Sequence, residues 1–246
     1  MAIDLVPIWT AIMAIAVFMY VLLDGFDLGV GILYPLAPSS ADRGLMMASV
    51  APIWDGNETW LVMGGVGLLA AFPLAFAVLM PALYFPILLL LLGLVFRGVA
   101  FEFRLKATRW RRAWSTAFFG GSFAAAFAQG LVLGSYVHGF AVDGGRYVGG
   151  SWDWLHPFAL VTGLGVVAGY ALLGATWLVL KTDGALQDWA RRWGRRALAA
   201  TGLFIAAVSL YSPFVHPRVH ARWFTESHWL WLAALPLGTL ALLWLA

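Results

Sequence analysis

The sequence predicts an all-α fold, a polytopic bundle of transmembrane helices, and three observations predict it. Of 246 residues, 62% are hydrophobic and only 11% charged, whereas a soluble globule carries about 25% charged residues to wet its surface. Apolar runs of the ~20 residues that a helix needs to cross ~30 Å of hydrocarbon recur seven times. The basic residues crowd into alternate connections, as they do in polytopic membrane proteins. The mean hydropathy of +0.85 agrees. A net charge of +3 excludes a nucleic-acid binder despite a pI near 9.4, and the absence of cysteine excludes disulfides, iron–sulfur clusters and thiolate metal sites.

The runs fall at 5–34, 56–79, 82–105, 114–137, 155–181, 197–214 and 229–246, and 1–246 reads as a single transmembrane domain. The first lacks a basic leader between Met1 and Pro7, so it is expected to be a retained helix and not a cleaved signal. Asp42 and Arg43 lie between the first and second runs. The next connection, around Pro81, is short and uncharged. After the third run come Arg104, Lys106, Arg109, Arg111 and Arg112. After the fifth come Lys181, Arg191, Arg192, Arg195 and Arg196. The other loops hold only Arg146, then Arg218 and Arg222. With Arg97, twelve of the fifteen basic residues share one side, which the positive-inside rule makes cytoplasmic, with the N-terminus periplasmic.

Other patterns fit a membrane bundle. Trp54, Trp60, Trp110, Trp114, Trp152, Trp154, Trp223 and Trp229 stand near helix ends, as interfacial anchors do. Glycines within the runs, such as Gly64, Gly65, Gly67, Gly163, Gly165 and Gly169, permit close helix packing. Gly144-Gly145 and Gly149-Gly150 punctuate an outer loop and lack the strand-to-helix setting of a phosphate cradle. No internal repeat is evident, which disfavours an inverted-repeat transporter.

Charge inside a span costs upwards of ~3 kcal/mol, so each instance asks for a reason. Asp24 and Asp27, three residues apart, share a helical face. Asp55 and Glu58 repeat that spacing in Trp54-Asp55-Gly56-Asn57-Glu58-Thr59-Trp60, and Arg97 and Glu102 close the third run. Five carboxylates and an arginine thus gather at the cytoplasmic end of three consecutive helices. One reading is a proton-accepting funnel, because carboxylates held close in low dielectric share protons and exchange them near neutral pH. The other is helix-end chemistry. Asp55 and Glu58 suit a helix N-terminus, Asp42 or Asp55 suits a cap, and Arg97 and Arg104 neutralise Glu102 or snorkel to phosphates. The hydrophobic setting of Asp27 and Asp55 favours the first reading for those two.

His138, His156, His216, His220 and His228 all fall in or beside outward loops, so none is placed for mid-helix haem ligation. His216 and His220 are spaced as a metal pair but lack a third ligand at suggestive spacing. Met13, Met19 and Met63 read as packing residues. No serine or lysine constellation suggests a hydrolase. The chain is therefore expected to bind no metal and to hold no catalytic residue of its own.

Three segments, in order and at matching spacing, resemble subunit II of the bacterial cytochrome bd quinol oxidases. They are Asp24-Gly25-Phe26-Asp27-Leu28-Gly29-Val30-Gly31, Ala51-Pro52-Ile53-Trp54-Asp55-Gly56-Asn57-Glu58-Thr59-Trp60-Leu61 and Phe96-Arg97-Gly98-Val99-Ala100-Phe101-Glu102-Phe103-Arg104. Weaker similarity continues through Gly174-Ala175-Thr176 to the end of the chain. The resemblance implies a multi-pass subunit of the bacterial cytoplasmic (inner) membrane, paired with a larger subunit I and open to small accessory subunits. In that family subunit I holds two b-type haems, the d-type haem where oxygen becomes water, and the quinol site. Subunit II carries a proton path, which maps onto Asp27 and Asp55, with Asp24 and Glu58 as motif neighbours. Some members also hold a structural quinone in subunit II. The family's subunit II continues for two further helices, so a chain ending at Ala246 is expected to be a short variant or a truncated sequence.

The expected function is then that of a membrane subunit of a terminal quinol oxidase in aerobic respiration. It would support subunit I and supply protons from the cytoplasm, with Arg97 and Glu102 tuning the field. Two other classes stay open at this point. A pure scaffold would use the same acids as helix-end structure. An independent proton-coupled transporter would purify without a haem-bearing partner.

Overall fold

The computed structural model describes residues 4–107, 109–224, 237, 238 and 241. The described residues are helical almost throughout, and α1 (Val6–Leu33) opens them with Pro7 in its first turn, where a missing N–H costs nothing. Its burial changes character along its length. From Val6 to Leu23 only Ala16 and Tyr20 are buried, whereas nearly every residue from Asp24 to Leu33 is. The glycines explain the change. A Cβ on Gly29 would collide with the Tyr170 carbonyl and the Gly174 backbone of a later helix, and one on Gly31 with Ser122. Two backbones can approach this closely only where both helices lack side chains.

After a 3-10 turn at Tyr34–Leu36 comes α2 (Ser40–Val50), in a segment where the sequence suggested only a connection. The cap is Ser39, not Asp42 or Asp55. Its Oγ accepts from the Asp42 backbone N–H at 3.1 Å and donates to Asp42 Oδ2 at 2.7 Å. Met46, Met47 and Val50 then enter the core.

The second apolar run is two helices. Pro73 lacks the N–H that would continue the ladder, so α3 (Trp54–Ala71) stops at Phe72 and α4 (Pro73–Ala82) restarts with proline at its first position. Pro81 lies inside the last turn of α4 and not in a loop. Then follow α5 (Tyr84–Lys106) and α6 (Arg111–His138). A hairpin of β1 (Val142–Asp143) and β2 (Arg146–Tyr147) pairs Val142 with Tyr147 and Asp143 with Arg146. It turns through Gly144 and Gly145, both at positive φ (53° and 75°), as a two-residue turn of this hand requires. The chain continues through α7 (Pro157–Lys181), α8 (Gly184–Val215) and α9 (Pro217–Phe224).

Among the described residues five stretches are long and apolar enough to span a membrane: Val6–Leu36, Tyr84–Arg104, Arg111–His138, Pro157–Lys181 and Gly184–Val215. The expected second span is the one divided at Phe72, and the expected seventh, 229–246, lies outside the described residues apart from three positions. The chain is a multi-pass membrane helix bundle. α5 packs on α6 and α7 on α8, while α6 also packs on α7, and α1 lies against α3, α6 and α7. At the end where α1, α5 and α7 finish, Tyr34, Met46, Met47, Phe101, Phe118 and Trp189 form one apolar cluster. This is the basic end. A second cluster, including Leu28, Leu90, Leu94, Ala125 and Tyr170, fills the middle.

Candidate functional site

Between these clusters the fold buries charge. Asp24 and Asp27 lie on α1 at the point where it becomes buried, and Arg97 lies on α5. Asp24 is nine residues from the end of α1 and Arg97 nine from the end of α5. At 1.5 Å per residue both sit about 14 Å from the helix ends, at one depth. Arg97 has no exposed surface. Its Nη1 bonds Asp24 Oδ1 at 2.7 Å and stands 3.7 Å from Glu58 Oε1, and its Nη2 stands 3.8 Å from Asp27 Oδ2.

Packing fixes the guanidinium. Gly121 of α6 admits the α5 backbone, since a Cβ there would come within 2.8 Å of the Arg97 backbone N. The Phe101 ring lies 5.8 Å from the guanidinium carbon, and Trp54 stacks on Phe101 at 5.0 Å. Trp54, half-buried at the start of α3, packs over Gly98.

Asn57 is a site residue that the sequence did not single out. Its Nδ2 donates to Asp27 Oδ2 at 2.7 Å and to the Leu23 carbonyl at 3.4 Å. Asp24 Oδ2, Asp27 Oδ1 and Glu58 Oε1 find no hydrogen-bond donor among the described residues. Fully ionised, three carboxylates around one guanidinium leave two uncompensated negative charges. Such an arrangement is balanced by resident protons or by a further cation. One turn farther along α1, Tyr20 accepts from Gln129 Nε2 at 3.1 Å, and Tyr170 donates to Gln129 Oε1 at 2.5 Å. This second polar layer was also unanticipated.

Of the sequence-derived candidates, the fold brings together Asp24, Asp27, Glu58 and Arg97. Asp55 is exposed at the start of α3, one turn before Glu58. Glu102 is exposed and bonds Lys106 Nζ at 3.0 Å, away from Arg97. Arg104 neither snorkels nor serves Glu102. It is 3% exposed, donates from Nε to Ser115 Oγ at 3.1 Å, reaches the Met47 sulfur at 3.9 Å and covers the Tyr34 ring at 5.1 Å.

His138, His156 and His216 stand at helix ends, and His220 lies within α9. His156 caps α7, its Nδ1 accepting from the Ala159 N–H at 3.2 Å, and its ring stacks on His138 at 4.2 Å. Burial first, and His138 second, lower the His156 pKa. Among the described residues no three His, Asp or Glu side chains are grouped to hold a metal.

The family model for cytochrome bd terminal oxidase subunit II matches residues 5–246. The chain belongs to that family. It is 36% identical over 187 residues to cytochrome bd-I ubiquinol oxidase subunit 2 of Escherichia coli K12, covering 73% of this chain and 49% of that protein. It is 33% identical over 215 residues to a probable cytochrome oxidase subunit 2 of Haemophilus influenzae, covering 83% and 57%. With cytochrome bd ubiquinol oxidase subunit 2 of Bacillus subtilis the figures are 28% over 211 residues, 84% and 62%. The chain thus spans about half to three-fifths of the length of these relatives. A solved bd oxidase from Geobacillus thermodenitrificans superposes with a TM-score of 0.66 at 19% identity, over 85% of this chain and 66% of the other, and shares the fold. Membership in the subunit II family places Asp24, Asp27, Asn57, Glu58 and Arg97 in a protein whose relatives are oxidase subunits.

Proposed function

We propose that the chain serves as subunit II of a quinol oxidase of the inner membrane, supporting a haem-bearing subunit I and delivering protons to it from the cytoplasm. The complex would couple quinol oxidation to reduction of oxygen to water. Haem in the partner would supply the electron transfer and the oxygen chemistry. The roles of this chain itself would be proton handling and helix positioning. Residues 1–246 would act as one transmembrane domain, with the basic end facing the cytoplasm and the N-terminus facing out.

The observation that carries the proposal is the convergence of three carboxylates from α1 and α3 on the buried Arg97, with the exposed Asp55 one turn away. Asp55 meets water and takes up the proton. Glu58, half-buried on the next turn of α3, receives it. Asp27 accepts it at Oδ1, because Asn57 occupies Oδ2 while Oδ1 is left without a donor. Asp24 is held by Arg97 at 2.7 Å and works as the anchor of the guanidinium. Handover to the partner subunit follows from Asp27.

A scaffold reading is favoured by one fact: the Arg97–Asp24 pair ties α5 to α1 across 73 residues of sequence. Purified complexes separate the two. The expected result is that Asp55→Asn and Asp27→Asn each lower oxygen-consuming turnover by roughly 10²-fold, the lower end for a positioned proton-transfer group, while haem spectra and haem content stay intact. Loss of haem at unchanged turnover per remaining haem would replace the conduit with a scaffold. Purification without a haem partner carrying a d-type band would remove the oxidase assignment altogether.

A further inference from the structure

Near the basic end a cleft of about 230 Å³ opens between the antiparallel helices α7 and α8. Leu172, Ala175 and Val179 line it from α7, and Gly194 and Leu198 from α8. It exists because small residues face each other: a Cβ on Gly194 would stand 3.5 Å from the Ala175 Cβ. The lined length from Leu172 to Val179 is about 10 Å at 1.5 Å per residue. Arg191 and Arg195, one turn apart on α8, are exposed and form the rim.

The level of this cleft matters. α7 has 25 residues and is about 37 Å long, about 7 Å more than the ~30 Å of hydrocarbon, so part of it stands at the level of the headgroups. Two cation–aromatic pairs mark that level, Lys181 over Trp177 at 4.9 Å and Arg196 over Trp193 at 4.7 Å. The trough therefore begins in hydrocarbon and ends where phosphates lie. Lys181 and Arg196 are occupied by their tryptophans. Arg191 bonds Asp188 at 3.1 Å, and Arg195 has no acceptor among the described residues.

We propose that this cleft seats an anionic phospholipid, with an acyl chain in the trough and its phosphate on Arg195 beside Arg191. The trough selects a chain, which free phosphate lacks, and the paired guanidiniums select a net negative headgroup over a zwitterionic one. The inference needs only a membrane setting and stands apart from the oxidase reading.

The test is native mass spectrometry of the purified membrane complex, titrated with phosphatidylglycerol or phosphatidylcholine of identical acyl chains. The complex should retain one more phosphatidylglycerol than the Arg191→Gln/Arg195→Gln variant. A free arginine contributes about 1 kcal/mol, about fivefold, and Arg191 is already paired with Asp188, so the double variant should bind phosphatidylglycerol about fivefold more weakly, chiefly through loss of Arg195, and leave phosphatidylcholine unchanged. Arg195→Lys should keep most of the preference. Gly194→Leu should displace both lipids while the charges remain. Equal retention by the double variant, displacement of the lipid by inorganic phosphate, or undiminished binding in Gly194→Leu would each overturn the proposal.

Discussion

Arg97 and Arg104 lie seven residues apart on one helix, both buried, and the fold answers them in opposite ways. Arg97 meets three carboxylates and lies over one aromatic ring. Arg104 meets no carboxylate within ion-pairing distance among the described residues. It is held by a hydroxyl, a thioether and the face of Tyr34. A buried guanidinium is thus no signature by itself. Facing several acids it organises titratable groups, whereas facing soft, polarisable partners it is a clamp that fastens α5 to α6, α2 and the turn after α1.

Matched substitutions sharpen that contrast. Arg97→Met should be the most damaging, because it leaves buried carboxylates without their cation. Breaking a buried pair from one side costs about 3–5 kcal/mol, and the yield of assembled complex by size-exclusion chromatography should collapse. Partial recovery is expected when Asp24→Asn is added, since the orphaned charge is then removed. Arg104→Met should cost about 2 kcal/mol, the worth of a desolvated cation–aromatic contact. It should lower the melting temperature and leave turnover per haem unchanged. If Arg104→Met lowered turnover as Asp27→Asn does, the division between the two arginines would fail.

The smallest effect is expected at the opposite end. The His156 pKa is lowered in the folded protein by burial and then by His138, from an unfolded value near 6.5. The stability this residue contributes is therefore present above about pH 6.5 and is lost as pH falls through the lower folded value. Thermal melts at pH 7.5 and pH 5 should show a drop for the native chain. His156→Asn, which keeps a capping acceptor and cannot be protonated, should flatten that drop. An equal drop in both would locate the pH dependence elsewhere.

Much of this arrangement was legible in the sequence. Apolar runs gave most of the helices, and the cost of burying charge pointed to Asp24, Asp27, Glu58 and Arg97. What escaped reading has physical reasons. Spacing of three residues states that two side chains are neighbours and not which of them faces inward; the positions differ by ~60° around the axis. Asp55 and Glu58 accordingly part company, one exposed and one half-buried. Glu102 was joined to Arg97 through nearness in sequence, but five residues carry it to the far side of α5. The burial of Arg104 had a signal, since seven residues return to the same helical face as Arg97. The Ser39-x-x-Asp42 pattern, followed by Met46, Met47 and Val50, announced α2. The break at Phe72 was announced by Pro73. Nothing local could reveal Asn57, Gln129 or Tyr170, whose partners lie 30, 109 and 41 residues away.

The separation of Asp24 from Arg97 by 73 residues also orders events during biosynthesis. At about 5–20 residues per second, a ribosome needs roughly 4–15 s after making the acids to make their cation. During that interval α1 holds two carboxylates with no counter-charge, at a depth where each costs ~3 kcal/mol. Until α5 is made, Asp24 and Asp27 have no guanidinium to meet, so the polar network of α1, α3 and α5 closes only after the last of these helices is in place.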